Sequence, residues 1–380
     1  MKYMMLKEVC SIKMGQSPAS DSYNDNGEGV PFFQGNADFG ERYPVARKWC
    51  SAPMKMAEPE DILISVRAPI GALNYAKEEC CIGRGLAALT PNKSKILPEY
   101  MFWLLKGKNA ELNSKGTGST FKAIGRKVLE EILVPDIGME QQMEYAVNLE
   151  KINGIIQLRK QELQKLDDLI KSRFIELFGD PVANDKNWPI EELDSICSAI
   201  VDCPHSTPSY TAENTGYMCI RSSIVKKNHI LWDEIEYIPE HEYRQRILRK
   251  KPEKGDIIYT REGAILGIAA MIDRNCNVAL GQRSMLLSPN NSICLPQFLS
   301  VAMNFDSFLR KALGGISGSA SPHINVGDIK AFAIILPPIA LQEQFVTFVE
   351  QTDKSKLFVN AYFILIFCCL RCIINTSVKK

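Results

Sequence analysis

The sequence predicts an α+β fold: two similar globular α/β domains joined by a long coiled-coil helix, the whole duplicated with pseudo-two-fold symmetry. Three observations carry this. A passage of the first half is rewritten in the second half, short β-branched runs alternate with helix-like segments in each copy, and the stretch between the copies repeats apolar residues every seventh position.

The duplicated passage reads TGSTFKAIGRKVLEEILVPDIGMEQQ at Thr117–Gln142 and SGSASPHINVGDIKAFAIILPPIALQEQ at Ser317–Gln344. Earlier segments follow suit. LKEVCSI (Leu6–Ile12) aligns with LDSICSA (Leu193–Ala199), and EDILISVRAPIGA (Glu60–Ala72) with GDIIYTREGAILGIA (Gly255–Ala269). LPEYMFWLL (Leu97–Leu105) aligns with LPQFLSVAM (Leu295–Met303). The offset drifts from 187 at Leu6/Leu193 to 202 at Gln142/Gln344, far above the period of a solenoid, so the repeat is a whole domain. The domains are placed at residues 1–142 and 188–342.

Within each copy, DILISV and DIIYT read as buried strands, bounded by polar and turn residues. PEYMFWLLKGKN and PQFLSVAMNFDSFLRKAL read as helices, with Pro98 and Pro296 in the first turn, where a missing N–H costs nothing. Strands interleaved with short helices give α+β.

Residues 143–181 form the central helix. From Met143 to Phe178 there is no proline and a single glycine, Gly154. Leu149, Ile156, Leu163, Ile170 and Leu177 recur every seventh residue, and Tyr145, Ile152 and Leu166 fill companion positions that Arg159 and Arg173 interrupt. Gly179 is placed for a C-cap and Pro181 lies beyond it. A helix of roughly 54 Å with such a seam wants a partner, so Leu149, Ile152, Ile156, Leu163, Leu166, Ile170 and Leu177 are expected to form an interface. QFVTFVEQTDKSK (Gln344–Lys356) starts a second helix, which the duplication places antiparallel to the first; residues 343–356 are its expected extent.

The bulk numbers narrow the function. The chain has 380 residues, 46% hydrophobic and 23% charged, which suits an ordinary globular protein of two domains. A formal net charge of +1 excludes a global polycation, so any nucleic-acid surface must be local. Twelve cysteines without a signal-peptide pattern indicate a reducing, cytoplasmic setting. Cys369 and Cys372 make a lone CxxC with no second pair at usable spacing, and His205 beside Asp202 and Cys203 does not close a tetrahedral site; no metal is expected.

In order and duplication these segments resemble the specificity subunit of type I restriction–modification systems. DCPHSTPSY at Asp202–Tyr210 is similar to the family's opening of a target-recognition domain, and PPIALQEQ at Pro337–Gln344 to its junction into a conserved helix, with PDIGMEQQ a degraded version. The resemblance implies two target-recognition domains, each reading one half of a split double-stranded DNA target. It implies that the helices set the gap and dock two modification (methyltransferase) subunits, which restriction (endonuclease/translocase) subunits join. S-adenosylmethionine, ATP and magnesium would belong to those partners and no cofactor to this chain.

The residues agree that the chain is not itself an enzyme. There is no Asn-Pro-Pro-aromatic methylation loop, and the only Pro-Pro follows a leucine; there is no GxxxxGK[ST] phosphate loop. The loop SKGTGSTFK brings Lys115, Ser119 and Lys122 with glycines that let N–H groups approach phosphate. Arg67, Arg84, Arg126 and Lys127 are candidate DNA contacts of the first domain, and Arg221, Arg261 and Arg283 their second-domain counterparts, arginine being suited to the guanine edge. Competing readings are a truncated remnant of a fused methyltransferase–recognition enzyme and a membrane-tethered DNA-binding module. The latter rests on residues 357–380, where Ala361–Leu370 are ten consecutive apolar residues without heptad spacing. That tail is too short for a span of roughly 20 residues, and it reads as an out-of-frame ending to the second helix.

Overall fold

The computed structural model describes residues 2–118, 122–314 and 322–377, with side chains through Val359. The chain forms two compact units, Met1–Gln157 and Leu158–Lys380, so the division falls within the central helix rather than at its start.

The first unit is built on a four-stranded antiparallel sheet ordered Cys10–Met14, Leu86–Pro91, Ile62–Ser65, Leu73–Tyr75. Leu89 faces Ile62 and Ala87 faces Ile64 in its register. In strand Ile62–Ser65, Ile62, Leu63 and Ile64 are apolar in a row because both faces of the strand are covered. Ile62 and Ile64 point into a cluster with Met101, Leu105 and Leu129, whereas Leu63 points the other way, to Phe33, Ile82 and Ala88. The second face is closed by a five-stranded sheet running Tyr23–Asn24, Trp49–Cys50, Val30–Phe33, Cys80–Ile82, Met56–Ala57. Helix Pro98–Gly107 covers the first face, with its proline in the first turn as expected.

The second unit repeats the main sheet, while its second sheet has three strands, Glu236–Tyr237, Met218–Ile220 and Val278–Leu280, instead of five. Its main sheet is ordered Cys197–Asp202, Ser284–Pro289, Ile257–Thr260, Ala269–Met271. Ile257 and Tyr259 join the cluster of Phe298 and Leu299, while Ile258 joins that of Ile220, Val278 and Leu286. Small two-stranded sheets close each unit: Tyr3–Met5 with Leu133–Pro135, and Ile190–Glu192 with Ala333–Ile335.

One buried glutamine per unit locks the helix entry. In the first, Gln142 Oε1 accepts from the Leu97 N–H at 2.9 Å while Nε2 donates to the carbonyls of Lys95 and Ile137. In the second, Gln342 Oε1 accepts from Leu295 N–H at 2.8 Å while Nε2 donates to Ile293 and Pro337. Strand pairing agrees, since Tyr3 faces Pro135 and Ile190 faces Ile335. The true counterpart of Gln142 is therefore Gln342, not Gln344. The proline-based alignment slips by two because the apolar run before Pro337 is longer than that before Pro135.

The long helices are Met139–Phe178 and Ile339–Ser377. The first ends where Gly179 adopts φ +75° and its N–H reaches the Ile175 carbonyl; a Cβ there would stand 2.0 Å from Asp185 Oδ1. The second departs from expectation, because its backbone stays helical to Ser377 instead of losing its pattern after Lys356. The reason is local: from Ile339 to Ser377 there is neither glycine nor proline, and an apolar run does not break a helix. Within the second unit the two helices pack antiparallel. Phe174 and Phe178 meet Phe345, Arg173 lies over the Phe348 ring, and Lys356 pairs with Asp167 at 2.8 Å. Ile170 and Val349 are buried in the same core. Leu149, Ile152, Ile156, Leu163, Leu166 and Leu177 are half-buried. Among the described residues no helix is long and apolar enough to cross a membrane.

Candidate nucleic-acid interface

In the first unit one end of the main sheet gathers three of the expected cations. Strand Ile62–Ser65 runs into Val66 and Arg67, strand Leu86–Pro91 starts from the turn Gly83–Gly85, and Lys122 lies alongside. The Val66 N–H donates to Gly85 O at 2.9 Å, Arg67 bridges to Ala123, and the Ala68 N–H donates to Lys122 O at 3.0 Å. Arg67, Arg84 and Lys122 are exposed, and none has a side-chain partner among the described residues. Gly85 is required here, because a Cβ would stand 2.4 Å from Gln34 O.

The remaining first-unit candidates are engaged elsewhere. Lys115 pairs with Glu111 at 2.7 Å, Arg126 with Glu130 at 2.7 Å, and Lys127 with Glu131 at 3.8 Å. All three pairs are one helical turn apart, the ordinary arrangement of a solvated helix face. Ser119 lies outside the described residues.

The second unit shows the same backbone with other side chains. The Arg261 N–H donates to Arg283 O at 3.0 Å, and the Ile324 N–H to Arg261 O at 2.9 Å, as Val66 and Ile124 do in the first unit. Arg261 thus corresponds to Val66, not to Arg67, whose counterpart is Glu262, bridged to His323 as Arg67 is to Ala123. Arg261 is also not exposed. It is buried against Asp202, Nε to Oδ1 at 2.8 Å and Nη2 to Oδ2 at 2.9 Å. A bidentate buried pair of this kind holds the arginine in the fold and away from a base edge.

Arg283 is exposed, has no side-chain partner among the described residues, and sits at φ +69°, a left-handed conformation that a side chain adopts at a cost. Arg221 follows strand Met218–Ile220 and lies beside the same turn, since the Gly281 N–H donates to Ile220 O at 2.8 Å. It pairs with Glu236 at 3.0 Å and lies 5.5 Å over the Tyr210 ring, whose hydroxyl is pushed well up by burial.

The DCPHSTPSY segment is pinned to this end. The Gln282 amide donates to His205 O, Arg246 Nη2 donates to Ser206 O at 2.8 Å, and the Ser209 N–H donates to Glu242 at 2.9 Å. Burial works against the charge on Glu242, but the hydrogen bonds from Ser209 and Arg246 outweigh it and hold the carboxyl below its usual range. Cys203 is buried, and that burial pushes its thiol up, as for a packing residue. His205 is left exposed, its Nε2 3.3 Å from Asp202. Gln282 and the basic run Arg244–Lys254 are absent from the residues that sequence pattern singles out. The run is legible as a charge cluster; Gln282 needs the turn geometry.

The profile of the type I restriction modification DNA specificity domain matches residues 1–168 and again residues 186–360. The chain belongs to that family. Its two specificity domains correspond to the two units. The chain is 44% identical over 156 residues to the provisionally assigned type I restriction enzyme MjaX specificity subunit of Methanocaldococcus jannaschii, spanning 41% of this chain and 37% of that relative. It is 22% identical over 383 residues to the MjaIX specificity subunit of the same organism, spanning 91% and 85%. In fold it resembles the S subunit of a type I restriction–modification system from M. genitalium, with a TM-score of 0.53 at 14% identity over 97% of this chain and 93% of that one.

Proposed function

We propose that the chain is the DNA sequence-recognition subunit of a type I restriction–modification complex and performs no chemistry itself. Each unit reads one part of a bipartite double-stranded target. The long helices space the two parts and dock modification subunits, which carry S-adenosylmethionine. Restriction subunits, with ATP and magnesium, join through that complex. A cytoplasmic location follows from this role, and the cysteines among the described residues, free and mostly buried, suit it.

The observation that carries this reading is a like scaffold with unlike tips. Both units hold the same order in the main sheet, the same glutamine lock and a turn at the same place, before strands Leu86–Pro91 and Ser284–Pro289. At the turn itself Gly83-Arg84-Gly85 in the first unit corresponds to Gly281-Gln282-Arg283 in the second. Arginine fits guanine O6 and N7, and the exposed arginine stands in the middle of the first turn but at the end of the second, where Gln282 is held by His205 O, so the two turns present it differently. Two copies of one frame with different readers call for a split, asymmetric target.

The experiment is to sequence methylated sites in a host that carries this chain with its modification and restriction partners. The expected result is one motif of two specified parts separated by an unspecified gap. Arg84→Gln should alter only one of the two parts. A single contiguous motif, or no motif, would overturn the reading.

A further inference from the structure

The second unit carries another cationic element close to the turn 281–283. Helix Glu240–Arg246 runs into a segment that reads RQRILRKKPEK from Arg244 to Lys254, six cations against one acid. Several of those cations are committed. Arg244 pairs with Glu240 at 2.7 Å, Lys250 with Asp256 at 3.3 Å, and buried Arg246 with Glu242 at 3.1 Å. Arg249 and Lys251 are exposed and have no ion pair among the described residues; Arg249 reaches only the Asp202 carbonyl, at 3.4 Å.

Between the paired and unpaired cations stands Leu248, 81% exposed, above every other exposed large hydrophobic among the described residues. A lone surface leucine is ordinary and by itself says nothing. Its setting is not ordinary. Arg246 donates to Leu280 O at 3.3 Å and to Ser206 O, and Arg249 touches Asp202 O, so the segment is tied to both strand ends that lead to Arg283 and His205. The first unit has an echo. Met54, 53% exposed, precedes Lys55, whose carbonyl accepts from the Ile82 N–H at 2.8 Å beside the turn 83–85, but no arginine flanks it.

We propose that Leu248 is a DNA wedge: it enters the stack at one base step of the second half-site while Arg249 and Lys251 hold the adjoining phosphates. Apolar side chains inserted this way unstack a step and bend the duplex, and flanking cations supply the sequence-independent attraction that offsets the cost. The first unit, with Met54 and no paired arginine, deforms its half-site less. The inference rests on the reading of the chain as a DNA-recognition subunit.

The test uses the full chain assembled with its modification subunits, and target duplexes carrying 2-aminopurine at successive positions of the second half-site. The wild-type complex should raise the fluorescence several-fold at one step. Leu248→Ala should abolish the rise and weaken target binding about tenfold, while Leu248→Phe keeps the rise. Arg249→Ala and Lys251→Ala should each lower the salt slope of binding by about one. Tight target binding by wild type without any rise, or an unchanged rise in Leu248→Ala, would reject the wedge and leave the recognition reading standing. Failure of the wild-type complex to prefer its target over unrelated duplex would remove both.

Discussion

Arg261 lays its guanidinium in parallel on the Asp202 carboxylate, with only 9% and 16% of the two side chains exposed. The first unit holds Met14 and Val66 at the matching places: the Gly15 N–H reaches Leu86 O as Cys203 reaches Ser284, and Val66 reaches Gly85 as Arg261 reaches Arg283. The same frame thus accepts an ion pair or an apolar pair. Removing one charge strands the other, whereas replacing both by apolar groups does not. Arg261→Ala should cost about 3–5 kcal/mol, and Arg261→Val with Asp202→Met should recover all but about 1 kcal/mol. Urea unfolding read by hydrogen exchange in the second unit measures both. Target binding retained by the double variant would confirm that Arg261 is structural.

Gln342 should behave as a structural lock. Its substitution by leucine leaves the Leu295 N–H and the carbonyls of Ile293 and Pro337 without partners in the interior. The expected loss is about 3 kcal/mol. Gln344→Ala, on the exposed face of the same helix, should change stability by less than about 0.5 kcal/mol. Equal effects of the two would reject the equivalence of Gln342 with Gln142.

This pair also marks how far the sequence can be read. The duplication, the strands around Ile62–Ile64 and Ile257–Tyr259, the two helix-initiating prolines and the Gly179 cap are all written in local pattern. Residue-to-residue equivalence is not, because Pro135 and Pro337 look homologous while the hydrogen bonds of Gln142 and Gln342 differ by two positions from that alignment. Pairing Arg67 with Arg261 fails in the same way, since a one-residue shift exchanges the two faces of a strand. For single cations, the sequence cannot tell an exposed arginine from one whose carboxylate, like Asp202, lies 59 residues away.

The helix seam is legible in part. Its heptad leucines and isoleucines are visible, but Phe174 and Phe178, fully buried, are hidden by Arg173 and by the approach of the helix end. Phe174 touches the rings of Phe178, Phe298, Phe305 and Phe345. Phe174→Ala should therefore cost about 3–5 kcal/mol. Leu163 differs, since it lines an open cleft of about 610 Å³ with Val349 and Lys356. An aspartate there stays partly hydrated, so Leu163→Asp should fold yet fail to co-purify with a modification subunit. Co-purification at wild-type yield would remove Leu163 from the partner interface.

Arg283 offers a test in which stability and binding move in opposite directions. Its φ of +69° is a conformation glycine adopts freely, whereas Gly85, at the matching position of the first unit, is not left-handed, so the strain belongs to the second unit's turn alone. Strain of this kind, kept at an exposed and unpaired arginine, is what a DNA-reading role for Arg283 would explain. Arg283→Gly should stabilise the second unit by about 0.5–1 kcal/mol, the ordinary cost of a left-handed side chain. The same change should weaken target binding by about 1–3 kcal/mol and relax specificity at one position of the second half-site only. Arg84→Ala should produce a loss of similar size confined to the other half, with no gain in stability. Thermal unfolding and binding to a panel of single-base variants measure the two quantities separately. Loss of both stability and binding in Arg283→Gly would mean that the arginine supports the turn instead of reading DNA. A uniform loss across all sequences would make it a phosphate contact.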